Sequence, residues 1–182
     1  MQTPWGPSQG EDKHSADIVF YSTLGHGGYH VTGAAAKHMR ADFPAVWNID
    51  NFSPEGWFEE DCGWAAVALC FPLLFDGWSL GNAINTARDT WDADVFEAHM
   101  LTPAGKGSVV MAKDWIAHNA DKWEQLGFCD GSDGVTIPAR RVGDGARCEV
   151  TWGAEVRRQW MELKGIFTLD DARSLGATVM VL

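Results

Sequence analysis

No apolar run in this chain is long enough to span a bilayer, since the best one, Trp64 to Phe75, is short and interrupted by Pro72. No CxxC pair occurs among Cys62, Cys70, Cys129 and Cys148, and a chain of 182 residues has enough core to fold without disulfide staples. Phosphate-loop and dinucleotide fingerprints are missing, and the nearest stretch, Gly105-Lys106-Gly107-Ser108, lacks the glycine spacing that cradles a phosphate. No H-E-x-x-H or comparable ligand spacing is found. Basic residues are scarce, 14 against 25 acidic, and the formal net charge of -11 opposes binding to a nucleic-acid backbone. The first residues carry no basic segment followed by an apolar one, so no signal peptide is expected and the cytoplasm is the expected address.

What is present is an ordinary globular composition, 46% hydrophobic and 21% charged, with unusual aromatics: 10 Trp against 2 Tyr. Each indole offers a large apolar area and one N–H donor, suited to a core, a pocket or a partner surface. The charge is lopsided. Residues 1–105 hold four basic against 14 acidic residues, a balance of -10, whereas residues 106–182 are close to neutral.

The pattern predicts a single α+β domain over 1–182, with 1–16 an irregular lead-in and 102–108 an internal loop. Asp17 to Leu24 reads as a strand, Gly25-His26-Gly27-Gly28 as a turn, and Tyr29 to Thr32 as the returning strand of a hairpin. Helices are expected over Ala34 to Ala41, from Glu59-Glu60-Asp61 to Phe71, over Leu80 to Thr90, near Asp94 to His99 and over Val109 to Trp123. Residues 44–56 read as a loop. A second hairpin is expected from Val135 to Trp152, turning at Gly143-Asp144-Gly145, with weaker helices over 155–163 and 169–175.

Several motifs occur in order: Thr3-Pro4-Trp5-Gly6-Pro7, then Phe20-Tyr21-Ser22-Thr23 with His26-Gly27-Gly28, then Trp57-Phe58-Glu59-Glu60-Asp61-Cys62 with Trp64-Ala65, then Phe71-Pro72-Leu74-Phe75. This resembles an uncharacterised domain family carried by phages, plasmids and integrated elements of proteobacteria, over roughly the first 75 residues. The resemblance implies an accessory gene of a mobile element, a setting associated with anti-defence roles.

Four candidate chemistries follow. His26 and His30, with Glu59, Glu60 or Asp61, supply the N and O ligands that zinc or iron accepts; the leading expectation is that no cofactor binds and these groups are solvated. Cys62, at an expected helix start near the histidines, is a nucleophile candidate, although the surrounding acids disfavour its thiolate. Glu59 and Glu60 can form an acid/base pair, or simply complement a helix dipole. Arg140, Arg141, Arg147, Arg157 and Arg158 form the basic concentration, beside Trp152 and Trp160, and can grip single strands or pair with acids of the same molecule.

Two functions from different classes result. The first is inhibition by binding: an accessory protein that blocks a host defence protein with a basic surface, through Glu59, Glu60, Asp61, Asp89, Asp92 and Asp94 with Trp57 and Trp91. The second is a small hydrolytic or metal-assisted enzyme built on His26, His30, Glu59, Glu60 and Cys62. A self-associating structural or regulatory domain, which would show only as a homo-oligomer such as a homodimer, is a third.

Overall fold

The computed structural model describes residues 1–49, 55–126, 136–151 and 166–182. The expectations placed on Cys129, Trp152, Arg157, Arg158, Trp160 and a helix over 155–163 lie outside these residues. The architecture is α+β with antiparallel sheets, and it falls into two compact units, 1–115 and 116–182.

The first unit opens with a two-stranded ribbon, β1 (Gln2–Thr3) and β2 (Gly6–Pro7). An antiparallel sheet follows in the order β3 (Gly10–Lys13), β4 (Ile18–Ser22), β5 (Gly27–Val31) and β6 (Trp57–Glu59). The expected irregular lead-in is therefore partly strand. Thr3 closes the ribbon by donating from Oγ1 to the Gly6 carbonyl at 2.8 Å, and the exposed, charged β3 pairs along the edge of β4. A polar edge strand lacks the alternation that marks a half-buried one, which is why composition did not show it.

Cross-strand register sorts the β4–β6 side chains into rows. Phe20, Tyr29 and Phe58 stand opposite one another, flanked by the rows Val19–His30–Trp57 and Tyr21–Gly28–Glu59. Alternation puts the middle row on the core face and both flanking rows on the other face. Ile18, Val31 and Phe58 are almost fully buried on the core face.

The helices of this unit are α1 (Gly33–Asp42), α2 (Pro44–Trp47), α3 (Trp64–Cys70), α4 (Gly77–Thr90), α5 (Ala93–Met100) and α6 (Pro103–His118), whose last residues belong to the second unit. α3 is the centre of the core: Ala65, Ala66, Val67, Ala68 and Leu69 have no exposed surface, and the helix packs on β5, β6 and α4. Each large apolar side chain buried in this way contributes about 1.5–3 kcal/mol. α1 is capped from a distance. Asp17 Oδ2 accepts from the N–H of Ala34 at 2.8 Å and of Ala35 at 3.4 Å, and Gly33, at φ +53°, leaves the room its carboxylate needs.

Three sequence expectations are corrected here. The Glu59-Glu60-Asp61 run does not begin a helix: Glu59 ends β6, and the helix starts at Trp64. The expected loop 44–56 contains the short α2. The expected loop 102–108 is the start of α6, where Thr102 Oγ1 accepts from the Gly105 N–H at 3.1 Å and Pro103 occupies the first turn.

The second unit is a five-stranded antiparallel sheet in the order β10 (Ile166–Phe167), β7 (Trp123–Gln125), β8 (Thr136–Arg141), β9 (Arg147–Thr151) and β11 (Thr178–Val181), with α7 (Leu169–Ser174). Trp123, Ile137, Cys148, Val150 and Phe167 form its core. Trp123 is thus a strand residue, not the end of the preceding helix. The β8–β9 hairpin turns where the sequence places it, and a capping box between Thr168 and Asp171 opens α7.

Candidate functional site

At one end of the β4–β6 sheet the chain brings together groups that are 33 residues apart. Thr23 folds the β4–β5 turn: its Oγ1 donates to the His26 carbonyl at 2.7 Å and accepts from the His26 N–H at 3.1 Å. His26 is thereby fixed at the mouth of β5. Opposite it, β6 delivers Glu59, and Glu60 extends the pairing by donating its N–H to the Gly27 carbonyl at 3.1 Å. His26 Nδ1 lies 3.9 Å from Glu59 Oε1 and 3.9 Å from Glu60 Oε1. One ligand atom from each of the three residues falls within 4.8 Å of the others, the sole such group of three or more among the described residues.

The two carboxylates are held differently. Glu59 Oε2 accepts from the N–H groups of Asp61, at 2.9 Å, and Cys62, at 3.4 Å, so one oxygen shapes the turn into α3 while the other faces His26. Burial raises the Glu59 carboxyl above its ordinary range, with the charge of Asp61 adding to the rise, against the two backbone donors. Glu60 lies across Gly27, where a Cβ would stand 2.5 Å from Glu60 Oε2 and 2.6 Å from Phe20 Cζ. The glycine is what admits the carboxylate. His26 is exposed, so the cluster opens to solvent on that side.

Gly27 and Gly28 therefore do not serve a turn, as their sequence suggests. Both are buried strand residues. A Cβ at Gly28 would lie 2.4 Å from the ring of Trp5, which folds over the sheet from the β1–β2 ribbon. Trp5 packs edge-on to Trp57 with centroids 5.8 Å apart, Tyr21 meets the same ring at 5.8 Å, and His30 stacks on it at 4.0 Å and 6°. The outer face thus carries a small aromatic cluster beside the His26–Glu59–Glu60 group.

The sequence candidates divide accordingly. His26, Glu59 and Glu60 converge. His30 does not join them: its ring is committed to Trp57, and burial pulls its pKa down. Asp61 contributes a backbone donor and like charge from an exposed position, outside the ligand group. Cys62 is exposed in the turn before α3, not in its first helical turn, so the helix-dipole argument for a reactive thiolate falls away. Trp57 and Trp91 are both 7% exposed, Trp57 covered within the aromatic cluster of the outer face and Trp91 within the core, whereas Asp89, Asp92 and Asp94 are exposed around the α4–α5 corner. In the second unit Arg140 pairs with Glu124, and Arg141 pairs with Asp144, an ion pair that holds the Asp144 carboxyl down at about 2. What the sequence did not offer was the part played by Trp5, Thr23 and Gly27, whose spacing signals a turn rather than a strand with room for a carboxylate.

Residues 1–123 match a family described as a domain of unknown function, DUF7007. The chain belongs to this family. The match spans the whole first unit and the opening of the second, so the His26–Glu59–Glu60 group and the aromatic cluster both lie inside the DUF7007 region. No curated protein and no solved structure matches the chain. Among the described residues no helix is long and apolar enough to cross a membrane.

Proposed function

We propose that the DUF7007 region holds a divalent cation through His26, Glu59 and Glu60, and that its function is metal-assisted hydrolysis. The observation that carries this reading is the convergence of one imidazole nitrogen and two carboxylate oxygens within 4.8 Å. Ligands about 2.1 Å from a single ion stand about 3.0–3.4 Å apart in octahedral or tetrahedral geometry, so the 3.9 Å separations need to close by less than about 1 Å. One nitrogen with two oxygens suits zinc or ferrous iron. His26 is exposed, so an ion held by the three residues would be open to solvent on that side, and it would supply an activated water for hydrolysis. Titration of the full chain with Zn²⁺, and with Fe²⁺ under anaerobic conditions, tests the site. One ion per chain is expected, lost in His26→Ala and Glu60→Gln and kept in His30→Ala. Absence of stoichiometric binding, or binding indifferent to these substitutions, refutes it.

A second reading is favoured by the α4–α5 corner, where Asp89, Asp92 and Asp94 are all exposed on a chain of net charge -11. In it the protein is a mobile-element product acting in the host cytoplasm, an inhibitor of anti-CRISPR or anti-restriction type that covers the basic surface of a defence protein. With Trp57 and Trp91 both covered by neighbouring side chains, carboxylates supply the contact. Native mass spectrometry from host lysate should then show a defined complex that the Asp89/Asp92/Asp94→Asn triple variant abolishes. A complex unaffected by that variant, or none at all, removes this reading.

A further inference from the structure

The outer face of the β4–β6 sheet places an indole where β5 has no side chain. Gly28 stands directly across the ladder from Glu59 on one side and from Tyr21 on the other. A Cβ at Gly28 would lie 2.4 Å from Trp5 Cη2 and 2.6 Å from Trp5 Cζ3, so the benzo edge of Trp5 fills the place of the missing side chain. Side chains directly opposite on one face of an antiparallel pair have Cβ atoms about 4.5–5.5 Å apart. The Trp5 ring therefore stands next to the Glu59 side chain, whose Oε1 lies 3.9 Å from His26 Nδ1.

The indole is braced in that position. Trp57 meets it edge-on with centroids 5.8 Å apart, and Trp57 is itself covered by His30 and Tyr21. Trp57 is buried, whereas Trp5 and Tyr21 are partly exposed. A fixed indole that keeps some surface in water beside polar groups is suited to line a site for an apolar ring.

Charge narrows the substrate. The carboxylates of Glu59 and Glu60 would balance a divalent ion, and Asp61 adds a further negative charge, close enough to raise the Glu59 carboxyl. Residues 1–105 hold four basic against 14 acidic residues. A phosphoester or a free carboxylate would approach against that field, and a neutral carbonyl compound would not.

We propose, resting on the metal-assisted reading above, that Trp5 is the specificity-determining wall of the cation site and that the substrate is a neutral carboxylic ester or amide bearing an aromatic group. In its hydrolysis the water oxygen bonds to the carbonyl carbon and the C–O or C–N bond breaks. The alcohol or amine leaves with one proton of that water.

The test begins with Zn²⁺ titration of the full chain. The zinc-loaded protein is then titrated by calorimetry with benzohydroxamate, acetohydroxamate and phenylphosphonate. The two hydroxamates present the same chelating carbonyl group and differ in the ring, whereas phenylphosphonate keeps the ring on a tetrahedral anion. Benzohydroxamate is expected to bind about ten-fold more tightly than acetohydroxamate, the effect of covering about 60 Å² of apolar surface. It should also bind more tightly than phenylphosphonate. Trp5→Ala should still take up zinc and bind the two hydroxamates alike. In the wild type the Trp5 indole N–H resonance should move with benzohydroxamate and stay in place with acetohydroxamate, a readout that holds if Trp5→Ala does not fold. Zinc binding with no preference for the ring overturns the role of Trp5 and leaves the cation site standing. A preference that survives Trp5→Ala, or that leaves the Trp5 resonance unmoved, does the same. Phenylphosphonate binding as tightly as benzohydroxamate overturns the neutral substrate class. Failure to bind zinc at all removes the metal-assisted reading and the wall together.

Discussion

Gly27→Ala is the perturbation that separates a built cation site from a chance meeting of side chains. The added methyl would stand 2.5 Å from Glu60 Oε2, 2.6 Å from Phe20 Cζ and 3.1 Å from the Tyr21 carbonyl. Ordinary carbon contacts begin near about 3.5 Å, so the carboxylate must withdraw by about 1 Å. The Phe20 clash is with the tip of a ring, and both it and the carboxylate are ends of side chains that can turn, whereas the Tyr21 carbonyl is backbone and must give by a few tenths of an ångström. Overpacking of this kind costs about 1–3 kcal/mol. Glu60 cannot retreat and still meet His26, because its backbone stays pinned to the Gly27 carbonyl. Loss of a supporting residue typically weakens a metal site about 10–100-fold, and that range is the expected loss of Zn²⁺ affinity in Gly27→Ala. Calorimetric titration beside a thermal melt reads both quantities. A variant that melts a few degrees lower yet binds zinc as the wild type does would refute the reasoning, since it would show that Glu60 is not held for a ligand's purpose.

Three further outcomes are expected. Asp17→Ala removes the distant cap of α1 and should cost about 1 kcal/mol in denaturant unfolding, with Asp17→Asn costing less because an amide oxygen still accepts. Leu80→Ala opens a cavity at a residue with no exposed surface and should cost about 2–5 kcal/mol, read as a lower melting temperature with the cation affinity of the folded protein unchanged. His99 has its pKa held below 6.5 by burial, the Leu69 hydrogen bond opposing. The unfolded chain therefore takes up its proton first, and stability present above about pH 6.5 is lost as the pH falls toward the folded-state pKa, by at most about 1.4 kcal/mol per unit. His99→Phe should flatten that part of the stability–pH curve.

Local pattern revealed the elements that local chemistry determines. The β4–β5 strands, α4, α5, and the β8–β9 hairpin all stand where β-branched runs, helix formers and a Gly-Asp-Gly turn place them. The misreadings share one cause, tertiary use of a residue with a familiar local meaning. Gly27 and Gly28 look like a turn but are strand residues that make room for Glu60 and Trp5. Glu59 looks like a helix start because acids precede an apolar stretch, yet pairing of β6 with β5 draws it into a sheet. Thr102-Pro103 with Gly105 looks like a linker, although a Thr cap, Pro in the first turn and a glycine beside the His99 carbonyl are what a tightly packed helix start uses. Of the candidate site, His26, Glu59 and Glu60 could be named from sequence. Their convergence, and the exclusion of His30 by its stack on Trp57, depend on strand register across a gap of 33 residues.

The methyl-lined helix α3 has a consequence of another kind. With Ala65, Ala66 and Ala68 sealed between the sheet and α4, the distance between those layers is set by side chains one carbon long. Any relative that enlarges one of the three must shrink a neighbour on β5, β6 or α4, so these positions should vary in matched pairs across DUF7007 chains. The sheet that carries His26 and Glu59 would then keep its spacing through drift in which no single core residue stays the same.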